Sequence, residues 1–162
     1  MIKIGLISDT HSYWDDKYIK YFSDCNEIWH AGDIGDIEII DKLNKITLVR
    51  AVYGNIDNHI IRREYKEDYI FNVEGLNIWI THIGGKPNIY NQRIRNKLNN
   101  NVPDIFVCGH SHICRVQHDK KLNMLYMNPG AAGRYGIHKV RTLLKFTIDS
   151  GKIKDLQVVE LN

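Results

Sequence analysis

The sequence predicts an α/β fold in which two β-sheets pack face to face, with helices on their outer sides. In the first third of the chain, strand-like and helix-like segments alternate, which is typical of parallel strands joined by crossover helices. In the last third, strand-like segments come in pairs joined by short polar turns, which indicates antiparallel hairpins. No repeat, low-complexity segment or linker interrupts the chain, so we expect residues 1–162 to form a single domain.

The individual elements follow from runs of apolar, β-branched and aromatic residues bounded by turn residues. The predicted strands are Ile2–Ser8, Glu27–Ala31, Thr47–Tyr53, Tyr69–Val73, Leu76–Thr81, Asp104–Cys108, Arg115–His118, Leu122–Met127, Thr142–Ile148 and Lys152–Val159. The predicted hairpin turns are Glu74–Gly75, Lys120–Asn123 and Ser150–Gly151. The predicted helices contain Tyr18–Phe22, Asp36–Leu43 and Asn88–Leu98.

The composition excludes several classes of function. Hydrophobic residues make up 43% of the chain and charged residues 25%, as in a soluble globular protein. The net charge of +3 is scattered, so we expect no stable complex with nucleic acid. No apolar run approaches the roughly 18 residues of a membrane span, and no signal-peptide pattern is present. The three cysteines lack CxxC spacing, which favours free thiols and a cytoplasmic location.

Five of the predicted strands end in side chains that can bind a metal ion. These endings are Asp9-Thr10-His11, Gly32-Asp33, Gly54-Asn55, His82 and Gly109-His110-Ser111-His112. In an open α/β sheet, ligands bind beyond the carboxyl ends of the parallel strands. Because alternate side chains of an extended chain point the same way, we expect Asp9 and His11 to converge, and His110 and His112 likewise. The adjacent glycines let the backbone approach a metal closely.

The candidate ligands comprise two carboxylates, four imidazoles and one carboxamide, with no thiolate. Mixed oxygen and nitrogen ligands suit Mn, Fe, Zn, Co or Ni. Seven ligands are too many for one tetrahedral ion, but they suffice for two metals that share a carboxylate at a separation of roughly 3.5–4 Å. Each motif also has a structural interpretation as a helix cap, a turn or a strand-end histidine. The metal site would be absent only if all of these structural interpretations were true at once. Two histidines spaced as in the GHSH motif rarely serve packing.

These motifs resemble, in order and spacing across residues 2–130, those of the calcineurin-like metallophosphoesterases. The short chain and the segment Asn128–Gly130 are similar to the small single-domain phosphodiesterase branch, to which the retromer vacuolar sorting subunit also belongs. The resemblance implies a four-layer αββα sandwich of two mixed sheets flanked by helices, in agreement with the strand pattern. It also implies a metal-dependent phosphoesterase, a hydrolase that acts on small phosphate esters.

The resemblance further implies a ligand scheme for two divalent metal ions. The first ion takes Asp9, His11, His112 and the bridging Asp33, and the second takes Asp33, Asn55, His82 and His110. Catalytic roles fall to Asp33, Asn55 and His82, and substrate contacts to Asn55 and Arg134. Arg134 suits phosphate recognition, with an ordinary surface arginine as the alternative. Manganese is the expected metal, with Fe, Zn, Ni or Co as alternatives.

One position departs from the wider family. Many members carry a histidine directly after the Gly-Asn motif, where it is credited with leaving-group protonation or phosphate contact. This chain has Ile56 there, followed by Asp57, and an isoleucine side chain neither transfers a proton nor donates a hydrogen bond. Protonation of a poor leaving group is worth roughly 10²–10⁴-fold. We therefore expect substrates with acidic leaving groups.

The resulting hypothesis is a phosphodiesterase in which a dinuclear metal centre activates a hydroxide for in-line attack. The preference for diesters over monoesters comes mainly from the resemblance. The alternative is a catalytically inactive metal-containing scaffold that binds partner proteins, as in the retromer-type relatives, and Ile56 is compatible with it. Exposed edge strands in the antiparallel half could pair with a second copy of the chain, so a homo-oligomer is compatible with the sequence.

Several residues near the motifs have two interpretations each. Tyr13 and Trp14 either line the entrance of the site or pack against the first helix, and Asn128 either orients a ligand or only starts a turn. We expect His30 to be structural or to support the ligands. The remaining histidines, which we expect to be solvated, are His59, His118 and His138.

Overall fold

The computed structural model describes residues 1–162 and contains twelve strands and four helices. The strands are β1 (Ile2–Ile7), β2 (Glu27–His30), β3 (Leu48–Ala51), β4 (Asp68–Val73), β5 (Leu76–Thr81), β6 (Gly85–Lys86), β7 (Ile89–Tyr90), β8 (Ile105–Val107), β9 (Cys114–Asp119), β10 (Met124–Pro129), β11 (Thr142–Asp149) and β12 (Lys152–Glu160). The helices are α1 (Lys17–Phe22), α2 (Glu38–Asn44), α3 (His59–Glu64) and α4 (Gln92–Leu98). None of these helices has the length and apolar character needed to cross a bilayer.

Ten of the strands form two five-stranded mixed sheets. The first sheet has the order β12-β11-β1-β2-β3. Strands β1, β2 and β3 are parallel to one another, β11 pairs antiparallel with β1, and β12 pairs antiparallel with β11. The second has the order β4-β5-β8-β10-β9, with three parallel central strands and antiparallel edges. The predicted crossovers and hairpins are therefore confirmed. The parallel pairing of β5, β8 and β10 was not among the sequence predictions.

Three hydrophobic clusters hold the layers together. The central cluster fills the space between the sheets, where Leu6 and Trp29 of the first sheet share one core with Val107 of the second. Burial of each such side chain contributes roughly 1.5–3 kcal/mol. A second cluster packs α1, α2 and α3 on the outer face of the first sheet, and a third packs α4 on the second sheet. The layers are thus αββα, as predicted.

Strand β1 illustrates how the sequence specifies these layers. Ile4 and Leu6 belong to the core between the sheets, whereas Ile7 belongs to the cluster under the helices, because successive side chains of a strand face opposite ways. Gly5 faces α1, where a Cβ atom would collide with the ring of Phe22. The glycine therefore lets the first helix lie close to the first strand.

Two helical segments differ from the sequence predictions. Helix α3 was not predicted, and it starts where the side chain of Asn58 accepts hydrogen bonds from the amides of Ile60 and Ile61. The prediction of a helix over Asn88–Leu98 was wrong at its start: Asn88 lies in the turn between β6 and β7 with φ 72°. Helix α4 begins only after Asn91, whose side chain caps the amide of Ile94. In both helices the asparagine cap sets the boundary.

Candidate metal centre

The seven candidate ligands lie on five loops that follow parallel strands of both sheets. Loops after β1, β2 and β3 carry ligands from the first sheet, and loops after β5 and β8 carry ligands from the second. Backbone hydrogen bonds join these loops, for example from Asp9 N to Gly32 O at 3.0 Å and from Gly109 N to His82 O at 3.0 Å. The predicted convergence at the carboxyl ends of the strands is therefore observed.

Most of the candidate ligands have an unusual backbone conformation. The φ angle is 55° at Asp9, 43° at His11, 53° at Asp33, 70° at His110 and 61° at His112. This left-handed region costs a residue other than glycine about 1–2 kcal/mol, and such strain clusters at functional sites. The expectation that each pair converges through alternation along an extended chain was therefore wrong in its geometry.

The ligand atoms form two groups, which divide the histidines as the expected ligand scheme does. Within each group, the candidate atoms lie within 4.8 Å of one another. The first group contains Asp9, His11 and His112, and the second contains Asp33, His82 and His110. The two GHSH histidines thus serve different groups, and the backbone is left-handed at each of them.

Asp33 belongs to the second group and also faces the first. Its Oδ2 atom is 3.3 Å from Nε2 of His11 and 3.2 Å from Nε2 of His82. Its Oδ1 atom accepts a hydrogen bond from the amide of Ile56 at 3.1 Å. Burial opposes ionisation of this carboxyl group, but the neighbouring His82 and the Ile56 amide hold its pKa below the usual range. Asp33 is therefore an ionised carboxylate with one oxygen directed at both groups.

Asp9 is completely buried at the centre of the first group. Its Oδ1 atom lies 3.2 Å from Nε2 of His112 and 3.8 Å from Nε2 of His11. Its Oδ2 atom accepts hydrogen bonds from Ser8 Oγ at 2.7 Å and from the His110 amide at 3.1 Å. Although burial disfavours its charge, the imidazoles of His11 and His112 keep the pKa of Asp9 below its usual range.

The donor atoms left without partners fit a bound cation. Asp9 Oδ1, His11 Nε2 and His82 Nε2 are buried and have no hydrogen-bond partner. The other ring nitrogen of His82 donates to Ala31 O at 2.7 Å, which leaves Nε2 as the nitrogen that would bind a metal. Each unsatisfied buried polar group costs roughly 1–3 kcal/mol. Divalent cations would satisfy all three atoms, and the mixture of nitrogen and oxygen donors suits them.

Asn55 joins the second group through His110. Its Oδ1 atom lies 3.0 Å from Nδ1 of His110, and both side chains are exposed. The structure therefore brings together all seven residues that the sequence predicts as ligands.

Arg134 packs on Tyr13, a residue two positions after the candidate ligand His11. Its guanidinium group sits over the ring of Tyr13 at 4.5 Å from the centroid, and the ion pairs of the candidate ligands do not include it. A substrate contact by Arg134 stays a prediction. Trp14 contacts Tyr18 of α1 edge to face at 5.3 Å, so it packs against the first helix.

Two further residues lie next to the first group, Tyr135, which the sequence did not indicate, and His138, which was expected to be solvated. The ring of Tyr135 stacks on His11 at 4.8 Å between centroids, with 70% of its surface exposed. His138 contacts His112 edge to face at 5.1 Å and is hydrogen-bonded through Nε2 to Gly133 O at 2.8 Å. The expectation of a solvated His138 was therefore wrong. Its position after the Asn-Pro-Gly segment was the only sequence signal available.

Asn128 supports the loop that carries the GHSH motif. It is fully buried, and its Nδ2 atom donates to Gly109 O and to Ser111 Oγ, both at 3.0 Å. Its Oδ1 atom accepts from the amide of Gly130 at 3.0 Å. Of the two roles left open, the contacts favour an orienting one, since Asn128 fixes the loop between His110 and His112.

His30 is a structural residue, as predicted. Its Nδ1 atom accepts a hydrogen bond from the amide of Gly32 at 3.1 Å, so Nε2 carries the proton and donates to Thr10 Oγ1 at 3.0 Å. Thr10 Oγ1 in turn donates to Ile34 O at 3.0 Å. Complete burial lowers the pKa of His30 to about 3, so the ring is neutral.

Glycines make room where the ligand loops meet. A Cβ atom on Gly54 would collide with Asp33, and a Cβ atom on Gly109 would lie 2.7 Å from Asp9 Oδ2. The expected role of these glycines is close approach of a metal, but in the structure they allow close approach of one ligand loop to another.

The fold and this arrangement can be compared with known proteins. Residues 2–151 match the calcineurin-like phosphoesterase superfamily domain. The chain belongs to this superfamily. The family is metal-dependent, the curated relatives support a phosphoesterase class of hydrolase, and the two groups are the candidate metal ligands. The resemblance identified from the five motifs is thus confirmed.

Two curated relatives agree with this assignment. A probable metallophosphoesterase from Methanothermobacter thermautotrophicus is 29% identical over 133 residues, which cover 79% of this phosphoesterase and 76% of the relative. A probable metallophosphoesterase from Methanocaldococcus jannaschii is 31% identical over 138 residues, which cover 79% and 67% of the two chains.

Solved structures share the fold of this phosphoesterase at low sequence identity. A novel archaeal phosphodiesterase has a TM-score of 0.79 and 22% identity over 99% of this chain and 100% of that one. Zinc-bound Vps29 from Entamoeba histolytica has a TM-score of 0.73 and 16% identity over 99% and 100% of the two chains. These similarities support the αββα architecture.

Proposed function

We propose that this phosphoesterase is a phosphodiesterase whose Asp33 bridges two divalent cations. The observation that carries the proposal is the position of Asp33 Oδ2, at 3.3 Å from His11 Nε2 and 3.2 Å from His82 Nε2. The first cation would be held by Asp9, His11, His112 and Asp33, and the second by Asp33, Asn55, His82 and His110. Manganese is the first metal to test, because nitrogen and oxygen donors suit it.

When bound, the two cations supply an activated water and neutralise charge on the phosphoryl oxygens. The protein side chains keep the donor atoms in place for this chemistry. Asp33 is held ionised by His82 and by the Ile56 amide, and Ala31 O fixes the ring orientation of His82. Asn55 lies at the exposed side of the second group, where its carboxamide would contact both the cation and the substrate. Asp33, Asn55 and His82 are therefore the proposed catalytic residues.

The protein provides no obvious acid for the leaving group. Ile56 contributes only its backbone amide, to Asp33, and its side chain is 46% exposed. His59 begins helix α3, is exposed and makes no hydrogen bond to the ligand loops. Leaving groups with low pKa values, such as nitrophenols, should therefore be favoured, because they depart without a proton.

A diester fits this site better than a monoester. A phosphate monoester carries about −1.5 to −2 charges at pH 7, whereas a diester carries one. Arg134, the residue predicted to contact the substrate, packs over Tyr13, so no basic side chain among the predicted site residues would balance the additional charge of a monoester. The fold similarity to an archaeal phosphodiesterase supports the same preference.

A partner-binding scaffold is the second candidate function. The fold is shared with Vps29, a vacuolar protein sorting protein. Exposed apolar side chains lie close to the first group, with Tyr135 70% exposed and Ile137 fully exposed. Turnover by the metal-loaded protein would decide against a purely scaffolding role.

The decisive experiment compares hydrolysis of bis(p-nitrophenyl) phosphate and p-nitrophenyl phosphate by chelator-stripped protein after addition of Mn²⁺. We expect the diester to be the better substrate, with two manganese ions per chain measured by mass spectrometry. Asp33→Asn should lose at least one ion and nearly all activity. Asp41→Asn, on the exposed face of α2, is the matched control. Full turnover by Asp33→Asn would overturn the proposal.

A further inference from the structure

A groove with a volume of about 520 Å³ opens beside His110. Its walls are the β6–β7 hairpin, the residues that follow β5, the GHSH loop and the start of β9. Because His110 belongs both to the groove lining and to the second ligand group, a molecule bound at the candidate metal centre can extend directly into the groove.

The lining combines apolar surface with positive charge. Ile83, Ile89 and Ile113 are 38%, 65% and 61% exposed, although large apolar side chains are usually buried. Lys86 and Arg115 also line the groove, and neither forms an ion pair within the protein. No aspartate or glutamate lines it. The groove is therefore complementary to a molecule with both apolar surface and negative charge.

Hydrogen bonds hold the walls of the groove in place. Tyr126 donates its hydroxyl to Gly85 O at 2.7 Å, which fastens the β6–β7 hairpin to β10. Asn91 donates from Nδ2 to Ile83 O at 2.9 Å and from its backbone to Gly84 O at 3.3 Å. A groove that is formed before binding costs little conformational entropy to fill.

Ser111 lies where the groove meets the candidate metal centre. Its Oγ atom accepts hydrogen bonds from Asn128 Nδ2 at 3.0 Å and from the Ile113 amide at 3.2 Å. The two acceptor positions are thus occupied, so its own O–H can only donate. Since Ser111 is exposed and lines the groove, this donor is available to an oxygen atom of a bound ester.

We propose that this groove binds the second substituent of the phosphodiester and selects one that has apolar surface and a further negative charge. The inference rests on the proposed phosphodiesterase function. Ile83, Ile89 and Ile113 would contact the apolar part, and Lys86 and Arg115 would attract the additional anion. These five residues are specificity determinants and take no part in bond cleavage.

Three p-nitrophenyl diesters test this selection, because all release the same leaving group. They are methyl p-nitrophenyl phosphate, thymidine 5′-(p-nitrophenyl phosphate) and the 3′-phosphorylated form of the thymidine ester. We expect KM to fall in that order. Lys86→Gln and Arg115→Gln should each raise the KM ratio of the 3′-phosphorylated ester to the methyl ester by about fivefold, the effect of losing one solvent-exposed ion pair.

The matched control is Lys152→Gln, an exposed lysine at the start of β12 in the other sheet, which should leave all three KM values unchanged. Ile113→Asn should raise KM for both thymidine esters relative to the methyl ester. Equal KM values for the three esters in the unmodified protein, or KM ratios that none of the groove variants changes, would overturn the proposal.

A binding measurement separates failure of this inference from failure of the proposed function. Calorimetry would record the binding of thymidine 3′,5′-bisphosphate to the manganese-loaded protein and to the same variants. Binding that weakens about fivefold in Lys86→Gln and in Arg115→Gln, with no ester hydrolysed, would refute the phosphodiesterase and support the groove as an anion-selective site. Binding that is identical in all variants would refute the groove assignment, whether or not esters are hydrolysed.

Discussion

The carboxylate of Asp57 lies 2.7 Å from the backbone nitrogen of Gly54 and accepts its hydrogen bond. The same carboxylate accepts hydrogen bonds from the backbone amides of Ile34 at 3.1 Å and Gly35 at 2.8 Å. Asp57 thereby ties its own loop to the loop that carries Asp33. In this chain, where position 56 is isoleucine, the contacts of Asp57 hold two ligand loops together.

Asp57→Asn should therefore destabilise the protein and weaken metal binding. The amide has one acceptor oxygen in place of two and turns an N–H group towards backbone donors, so we expect a loss of about 3 kcal/mol in the free energy of unfolding. Urea denaturation of the metal-free protein would measure the stability, and calorimetry the Mn²⁺ affinity. Asp41→Asn is the exposed control. A change below about 0.5 kcal/mol, the range of ordinary surface substitutions, would contradict this role.

Asn128→Asp tests whether the buried carboxamide orients the GHSH loop. A carboxylate cannot donate the two hydrogen bonds that Gly109 O and Ser111 Oγ receive, and its charge would be buried beside the Gly109 carbonyl. We expect a loss of about 2–3 kcal/mol in stability and weaker binding of Mn²⁺. Thermal unfolding with and without metal would show both effects. The exposed Asn100→Asp variant should behave like the unmodified protein, and equal behaviour of Asn128→Asp would exclude the orienting role.

The positions of the candidate ligands could be predicted from the sequence, but their backbone conformation could not. Apolar runs that end in Asp, His or Asn identify strand ends, and the carboxyl ends of parallel strands converge on one site. The family resemblance implies the division of His110 and His112 between two groups, but the left-handed φ angles of 70° and 61° at these residues were not predicted. No local rule predicts such angles for histidine, because the surrounding loops impose them.

The same distinction applies to the fold. Strands with strong apolar periodicity were predicted correctly, whereas α3 was missed, since only Ile61 of its six residues is buried. The start of α4 was misplaced because the sequence offers both Asn88 and Asn91 as helix caps. The pairing of Ile89–Tyr90 with Gly85–Lys86 in a small hairpin excludes Asn88 as the cap and leaves Asn91. The contact of Tyr135 with His11 joins residues distant in the chain, and no sequence motif marks it.

His30 should make the stability of the metal-free protein depend on pH. Its folded pKa is lowered from 6.5 to about 3 by burial. Between these values the unfolded chain binds a proton that the folded protein does not, so stability falls as the pH decreases below 6.5, by about 1.4 kcal/mol per pH unit. Urea denaturation between pH 6.5 and 4 would measure the free energy of unfolding. We expect this free energy to fall less steeply with decreasing pH in His30→Gln than in the unmodified protein, because the variant lacks the titrating group, although it is less stable throughout. Equal slopes in the two proteins would contradict a neutral buried His30.

Ile56→His should extend the range of leaving groups. The Ile56 amide contacts Asp33 at 3.1 Å, and its side chain is 46% exposed, so a histidine here would stand beside the proposed bridging carboxylate and face solvent. An imidazole with a pKa near neutrality can donate a proton to a departing alkoxide or phenoxide. The variant should therefore gain most where the leaving group is poorest.

The measurement is a series of aryl phosphodiesters whose leaving phenols span pKa values from about 7 to the ordinary phenolic value of about 10. In the unmodified protein, kcat/KM should fall steeply along the series, because no side chain protonates the leaving oxygen. In Ile56→His, hydrolysis of the phenyl ester should rise about 10- to 100-fold relative to the p-nitrophenyl ester, the lower part of the range for general acid catalysis. Ile56→Gln is the matched control, since it is polar at the same position but cannot transfer a proton. Equal slopes for the histidine and glutamine variants would show that the loss of this histidine does not limit leaving-group choice.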